Sequence, residues 1–260
     1  MTPPGTAIRC RAFRLPRQGY APEECQDASA GDPERGRFAI ADGAAESPYS
    51  ALWARLLVEE FVRRSERRPQ WANWLPSLQQ RWVDQVSRPV DPRLWPADSF
   101  DPGVPWYLEP GLLQGAFATF LGLVIEETSW DALAVGDSCL FQVRGGRLRR
   151  AFPIERAADF SNAPWLIGSR TSPGEVPHKE GAVGQGDCRP RDHFWLMTDA
   201  LARWFLVQVE EGGKPWLDLE PLLNSPTEDD AQQLFAGWIE SLRTDRQLRN
   251  DDVALLAVML

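Results

Sequence analysis

An apolar run of strand length that meets an aspartate constrains this chain more than any other feature, because it occurs three times. Phe38-Ala39-Ile40-Ala41 halts at Asp42-Gly43, and His193-Phe194-Trp195-Leu196-Met197 runs through Thr198 into Asp199. Near the end, Asp251-Asp252 opens onto Val253 to Leu260. Each run reads as a buried strand with a carboxylate at its tip. At the first, Gly43 lets the backbone approach a ligand closely, although Asp-Gly is also an ordinary turn pair. Ser47-Pro48 then predicts an N-cap followed by a proline at the first helical position. Leu52, Trp53, Leu56, Leu57, Phe61 and Val62 recur at helical spacing as one buried stripe.

A chain of 260 residues, 43% hydrophobic and 25% charged, can bury a sizeable core. Its formal charge of −9 argues against nucleic acid and anionic membrane surfaces as partners and leaves carboxylates for cations. The longest apolar runs are too short to span a bilayer. The opening MTPPGTAIRC has no basic segment leading into an apolar one, so no signal peptide is expected and the expected location is cytoplasmic. Cys10, Cys25, Cys139 and Cys188 form no CxxC pair, which argues against zinc and against a disulfide framework. His193 lies at the edge of an apolar strand and His178 in a Pro/Gly-rich stretch, so both read as structural or solvated residues.

Along the chain, a strand is expected around Thr6 to Leu15, then a loop carrying Arg17 and Gly19, then a strand beginning near Asp27. Trp71, Trp74, Leu75, Leu78, Trp82 and Val86 fit a second amphipathic helix. Six prolines between Pro89 and Pro110 exclude regular structure in the stretch that follows. With Trp95, Trp106 and Tyr107, residues of about 70–111 form a Trp/Pro-rich insertion, either a peptide-binding groove or a long loop pinned to the core. From Gly115 onwards the pattern is of antiparallel strands, with Gly145-Gly146 as a hairpin turn and Gly136-Asp137 interrupting a strand in mid-run. Residues 152–190 read as loops with short ordered pieces. Gly212-Gly213 ends the helix after Asp199. Ser225-Pro226-Thr227-Glu228 reads as a capping box for a last helix that buries Leu234, Phe235, Trp238, Ile239 and Leu242. No linker separates two cores, so residues 1–260 are expected to form a single domain.

Several buried carboxylates in one place repel each other, and a divalent cation relieves both the repulsion and the desolvation. Oxygen-only ligands suit Mg²⁺ or Mn²⁺, and two such ions can activate a water against a phosphoester. The ordered set QDA, FAIADG, GDSCLFQVRGGRL, LMTDALA and NDDVALLAV resembles the metal-dependent protein phosphatases of the 2C class. The resemblance spans residues 25–260 and implies an α+β fold, a four-layer αββα sandwich of two central antiparallel β-sheets flanked by helices. It also implies a phosphoserine/phosphothreonine phosphatase of a divergent bacterial branch, acting on a phosphorylated protein alongside a cognate Ser/Thr kinase. Two ions, or three, are implied. Asp42 would bridge two of them, Gly43 would offer its carbonyl, Asp199 and Asp251 would complete the first ion's ligands, and Asp137 would hold a looser third. Asp27 would orient metal-bound waters.

The chain departs from the family pattern at several positions. DGAAES lacks the family's histidine, Ala200 replaces a glycine, Gln26 a glutamate and Cys139 an arginine. The family's phosphate-binding arginine would fall at Pro22, and Arg17 in the same loop is the candidate to replace it. The alternative is a pseudophosphatase, a binding or regulatory module on the same fold.

Overall fold

Strands covered on both faces show no inside–outside alternation, and the apolar runs are strands of this kind. The computed structural model describes residues 8–45, 47–66, 71–86, 114–161, 163–170 and 181–260. One sheet has the order β1 (Arg9–Leu15), β12 (Val253–Met259), β11 (His193–Met197), β7 (Cys139–Arg144) and β8 (Arg147–Phe152). The other has β10 (Ala182–Asp187), β6 (Ser129–Val135), β5 (Phe120–Ile125), β3 (Arg37–Ala41) and β2 (Ala28–Asp32). Every pairing in both sheets is antiparallel. A short pair, β4 (Phe117–Ala118) with β9 (Ile167–Gly168), lies beside them.

Successive residues of each run serve different layers. In β3, Phe38 and Ile40 join Leu121, Leu123, Leu196 and Leu256 in the core between the sheets. Ala39 and Ala41 face the other way, against α1 (Ser50–Arg63) and α2 (Trp71–Val86). In β12, Ala254, Leu256 and Val258 face the opposing sheet. Val253, Leu255 and Ala257 face the helical layer of α3 (Asp199–Glu210), α4 (Trp216–Asn224) and α5 (Glu228–Thr244). Two antiparallel sheets between two helical layers give the αββα sandwich that the resemblance implies.

The predicted stripe of α1 is in place, with Trp53, Leu56, Leu57 and Phe61 buried. Its start differs. Tyr49, at φ 57°, precedes the first helical residue. The Ser47 hydroxyl instead donates to the Ala44 carbonyl at 2.9 Å and accepts from the Phe117 amide at 3.1 Å, so it ties the loop to β4. In α2, Trp74, Leu75, Leu78, Trp82 and Val86 are buried as expected. Trp95, Trp106, Tyr107, His178 and Thr6 lie outside the described residues.

Four further readings are corrected by tertiary context. Asp137 is not inside a strand: Gly136, at φ 93°, turns the chain there from β6 in one sheet to β7 in the other. Residues 182–187 are an edge strand rather than loop, and their glycines let rings lie flat on the backbone. A Cβ at Gly184 would stand 2.9 Å from the Phe152 ring, and one at Gly186 2.7 Å from Trp130. The last helix is capped by Thr227, whose side chain accepts from the Asp230 amide, two residues later than the SPTE pattern suggests. Its buried stripe is the narrow row Ala231, Phe235, Ile239 and Leu242, which leaves Leu234 45% exposed.

Gly122 in β5 lies under Phe61 of α1, and a Cβ there would come within 2.5 Å of the ring. Gly122→Ala is therefore expected to destabilise the protein by about 1–3 kcal/mol in urea unfolding, despite alanine's smaller backbone entropy loss.

Candidate functional site

Strand register carries the aspartates to one end of the sandwich. Ala28 pairs with Ala41, which sets Asp27 beside Asp42 just past the paired ends of β2 and β3. In the opposing sheet Met197 pairs with both Leu255 and Cys139, so Asp199, Asp251 and Asp137 leave the neighbouring ends of β11, β12 and β7. A hydroxyl pair links the two sets. Thr119 Oγ1 accepts from the Asp42 amide at 3.2 Å and lies 2.8 Å from Ser138 Oγ. The Asp42 carbonyl also accepts from the Thr119 amide at 2.8 Å. At Gly43 a Cβ would stand 2.8 Å from the Gln26 carbonyl oxygen and 2.9 Å from Ser50, so only glycine fits this turn.

The carboxylates feel one another. Burial, then the charge of Asp199, pushes Asp42 up to about 8. Asp137 rises to about 7 for the same two reasons, in the same order. Asp27 is raised well above the ordinary carboxylate range by burial and then by Asp42. Both of its oxygens, and Oδ1 of Asp137, are buried without a hydrogen-bond donor. The Thr198 hydroxyl, close enough to Asp27 to lower its pKa, faces the Ala254 carbonyl at 3.4 Å.

Two residues that the sequence reading passed over hold the cluster in shape. Arg249 Nη2 donates to Asp199 Oδ2 and to Asp251 Oδ2, each at 2.5 Å. Asp252 accepts the Arg17 amide at 2.8 Å and the Gln26 amide at 2.7 Å, which fastens the 17–26 loop beside Asp27. Adjacent side chains at the mouth of β12 thus do separate work: Asp251 faces the cluster and Asp252 the loop. The run Arg249-Asn250-Asp251-Asp252 carried a sequence signal, a basic residue two positions before an acidic pair. The Arg17 guanidinium lies 4.0 Å over the Tyr20 ring, and its side chain touches none of the aspartates among the described residues. Pro22 opens a short 3-10 turn. His193 stays structural, half-buried and edge-on to Trp195.

Among the described residues, no three acidic, thiol or imidazole groups are already drawn into a metal-ligand cluster. The donor set nevertheless suits a hard cation, being all oxygen with buried lone pairs that nothing satisfies. The protein phosphatase 2C family model matches residues 20–251, most of the chain. This chain belongs to the protein phosphatase 2C family. The fold agrees. The chain superposes on the Mycobacterium tuberculosis serine/threonine phosphatase PstP with a TM-score of 0.60 at 14% identity, covering 97% of this chain and 98% of that one. The PstP catalytic domain in complex with two manganese ions gives 0.59 at 15% identity, with 97% of each chain covered. PppA, described as a key regulatory component of T6SS in Pseudomonas aeruginosa, gives 0.57 at 17% identity, with 98% of each covered. No curated protein sequence matches significantly. Within the 2C family pattern, the exchanges at Pro22, Gln26 and Ala200 fall on the rim of the aspartate cluster or just behind it.

Asp42 has a pKa of about 8 in the folded chain, whereas an unfolded aspartate titrates near the ordinary value. Between those two values the folded state binds more protons than the unfolded one, so stability falls as pH rises through that window. In chelator, the protein is expected to melt at a lower temperature at about pH 8.5 than at about pH 5.5. Asp42→Asn should flatten that slope and raise the melting temperature at the alkaline end. A melting temperature that climbs with pH would show that the carboxylates are not gathered.

Proposed function

We propose that this chain is a metal-dependent phosphoserine/phosphothreonine protein phosphatase. The observation that supports it most is the convergence of Asp27, Asp42, Asp137, Asp199 and Asp251, with buried oxygens that have no donor. In this reading Asp42 and the Gly43 carbonyl would hold two ions, with Asp199 and Asp251 as further ligands of one, and Asp137 would hold a third more loosely. Mn²⁺ or Mg²⁺ in those places supplies charge that steadies the phosphate and activates the attacking water. Everything else falls to the chain. Asp27, fixed beside Asp42 by strand register, accepts hydrogen bonds from ordered water and orients it. Asp252 fastens both ends of the 17–26 loop next to Asp27. Arg17 is the loop's own candidate for gripping the phosphate. The substrate is a phosphorylated protein, and a partner kinase and a cytoplasmic setting belong to the same proposal. No helix among the described residues is long and apolar enough to cross a membrane.

A second reading rests on Arg249. Its guanidinium already pairs with both Asp199 and Asp251, the carboxylates an ion would need. A chain whose internal cation keeps that place would be a pseudophosphatase, a binding or regulatory module.

Hydrolysis of a phosphopeptide in the presence and absence of Mn²⁺ separates the two. Activity is expected to need the added ion and to vanish with chelator. Asp42→Asn should lower kcat/KM by about 100-fold or more, since it removes charge from the position shared by both ions. Asp137→Asn should cost far less. Calorimetric Mn²⁺ binding without turnover of a phosphopeptide or a small aryl phosphate would favour the pseudophosphatase, and full activity in Asp42→Asn would reject the site assignment.

A further inference from the structure

A cleft of about 280 Å³ opens beside the aspartates, walled by Asp199, Arg203, Trp204, Gln247, Arg249 and Ser161. Arg203 follows Asp199 by one helical turn of α3, so the two side chains emerge on the same face. Arg203 is exposed, and its side chain has no ion pair or hydrogen bond among the described residues. Arg249 stands across the carboxylates with half of its side chain open to solvent. Trp204 is buried and packs edge-on against Trp238, 5.1 Å between ring centroids, which gives the cleft a firm apolar wall.

A phosphate monoester approaching five aspartates, in a chain of formal charge −9, is repelled unless cationic side chains flank its route. On the loop side the route is poorly supplied: Pro22 has no donor to give, and the Arg17 guanidinium lies over Tyr20. On the cleft side two guanidiniums face the entrance. One is uncommitted, and the other is held only by carboxylates that an incoming cation would share. Guanidinium forks match phosphate oxygens bidentately.

We propose that the cleft is the subsite for the substrate's phosphate monoester group, and that Arg203 and Arg249 grip it from the α3 side. This rests on the phosphatase reading and adds to its anion grip two residues outside the 17–26 loop. Arg203 and Arg249 line the same cleft beside Asp199, so an anion there would lie within reach of both guanidiniums.

The test uses Mn²⁺-loaded full-length protein with inorganic phosphate as the binding probe and p-nitrophenyl phosphate for turnover. Arg203 is exposed on a helix, so its variants should fold. Arg203→Gln is expected to weaken phosphate binding and raise KM about tenfold, with kcat changed far less and Mn²⁺ affinity unaltered. Arg203→Lys should fall between that variant and the wild type. Arg249→Gln should weaken phosphate binding and, in addition, change Mn²⁺ affinity, because it releases Asp199 and Asp251. Turnover with phosphate binding unchanged in Arg203→Gln would overturn the subsite while leaving the phosphatase reading standing. Phosphate binding that depends on Arg203 without any turnover would uphold the subsite and reject the catalytic reading. Absence of both phosphate binding and turnover would overturn the subsite.

Discussion

Repulsion among carboxylates at one end of the sandwich is the constraint to which the rest of the structure answers. Asp27 and Asp42 are neighbours across a strand pair, and Asp199 and Asp251 share one guanidinium on the opposing sheet. Left to itself such an arrangement would splay apart, because burial and mutual charge both penalise the ionised forms. It is held by frames on either side that have little freedom to yield. β3 and β12 are buried along their whole length, with Phe38–Ala41 and Val253–Val258 packed into one core or another. Moving Asp42 outward would drag Ala41 and Ile40 out of close-packed layers, and interiors at crystal-like density resist that. The site is thus strained in charge and firm in backbone, an arrangement suited to binding cations.

The frame was legible in the sequence because it is written in long apolar runs. Three of the four strands with a metal-ligand candidate at the tip, β3, β11 and β12, showed as uninterrupted runs, and their aspartates marked where burial ends. What escaped was set by partners distant in sequence. The chain between Val135 and Cys139 reads as a broken strand, yet Gly136 there turns it from one sheet into the other. β10 is too rich in glycine to read as a strand, and those glycines exist because Phe152 and Trp130 lie across them. Leu234 belongs to the apolar face by periodicity, but α5 meets its neighbours along a stripe too narrow to include it. In each case local pattern gave the residue type and a remote ring or sheet decided its use.

At the site itself the aspartates were legible and their counter-charges were not. An arginine has no periodicity to betray it, and Arg249 acts through two oxygens that lie 50 residues and 2 residues away in sequence. Asp252 was hidden differently, in the shadow of Asp251. Both precede the first residue of β12, and there Asp251 pairs with Arg249 while Asp252 accepts two amides of the 17–26 loop. These bonds tie residues 17–26 to the root of β12, so any motion of that loop is coupled to the strand that bears Asp251.

Arg249 sets the terms on which a cation can bind. A guanidinium shared by Asp199 and Asp251 lowers the cost of keeping those carboxylates ionised, as its lowering influence on Asp199 shows. The same contact must be given up, or weakened, before both carboxylates can serve an ion. Among the described residues Asp27, Asp42 and Asp137 have no guanidinium in direct contact, and burial with mutual charge raises the pKa of each. The unmet demand for positive charge is therefore concentrated on the Asp42 side, and the Asp199–Asp251 side is already partly compensated. A cation held at Asp42 would meet that demand while Arg249 stayed with Asp199 and Asp251. That asymmetry leaves room for an active centre in which the arginine persists as a neighbour of the bound anion rather than as a plug.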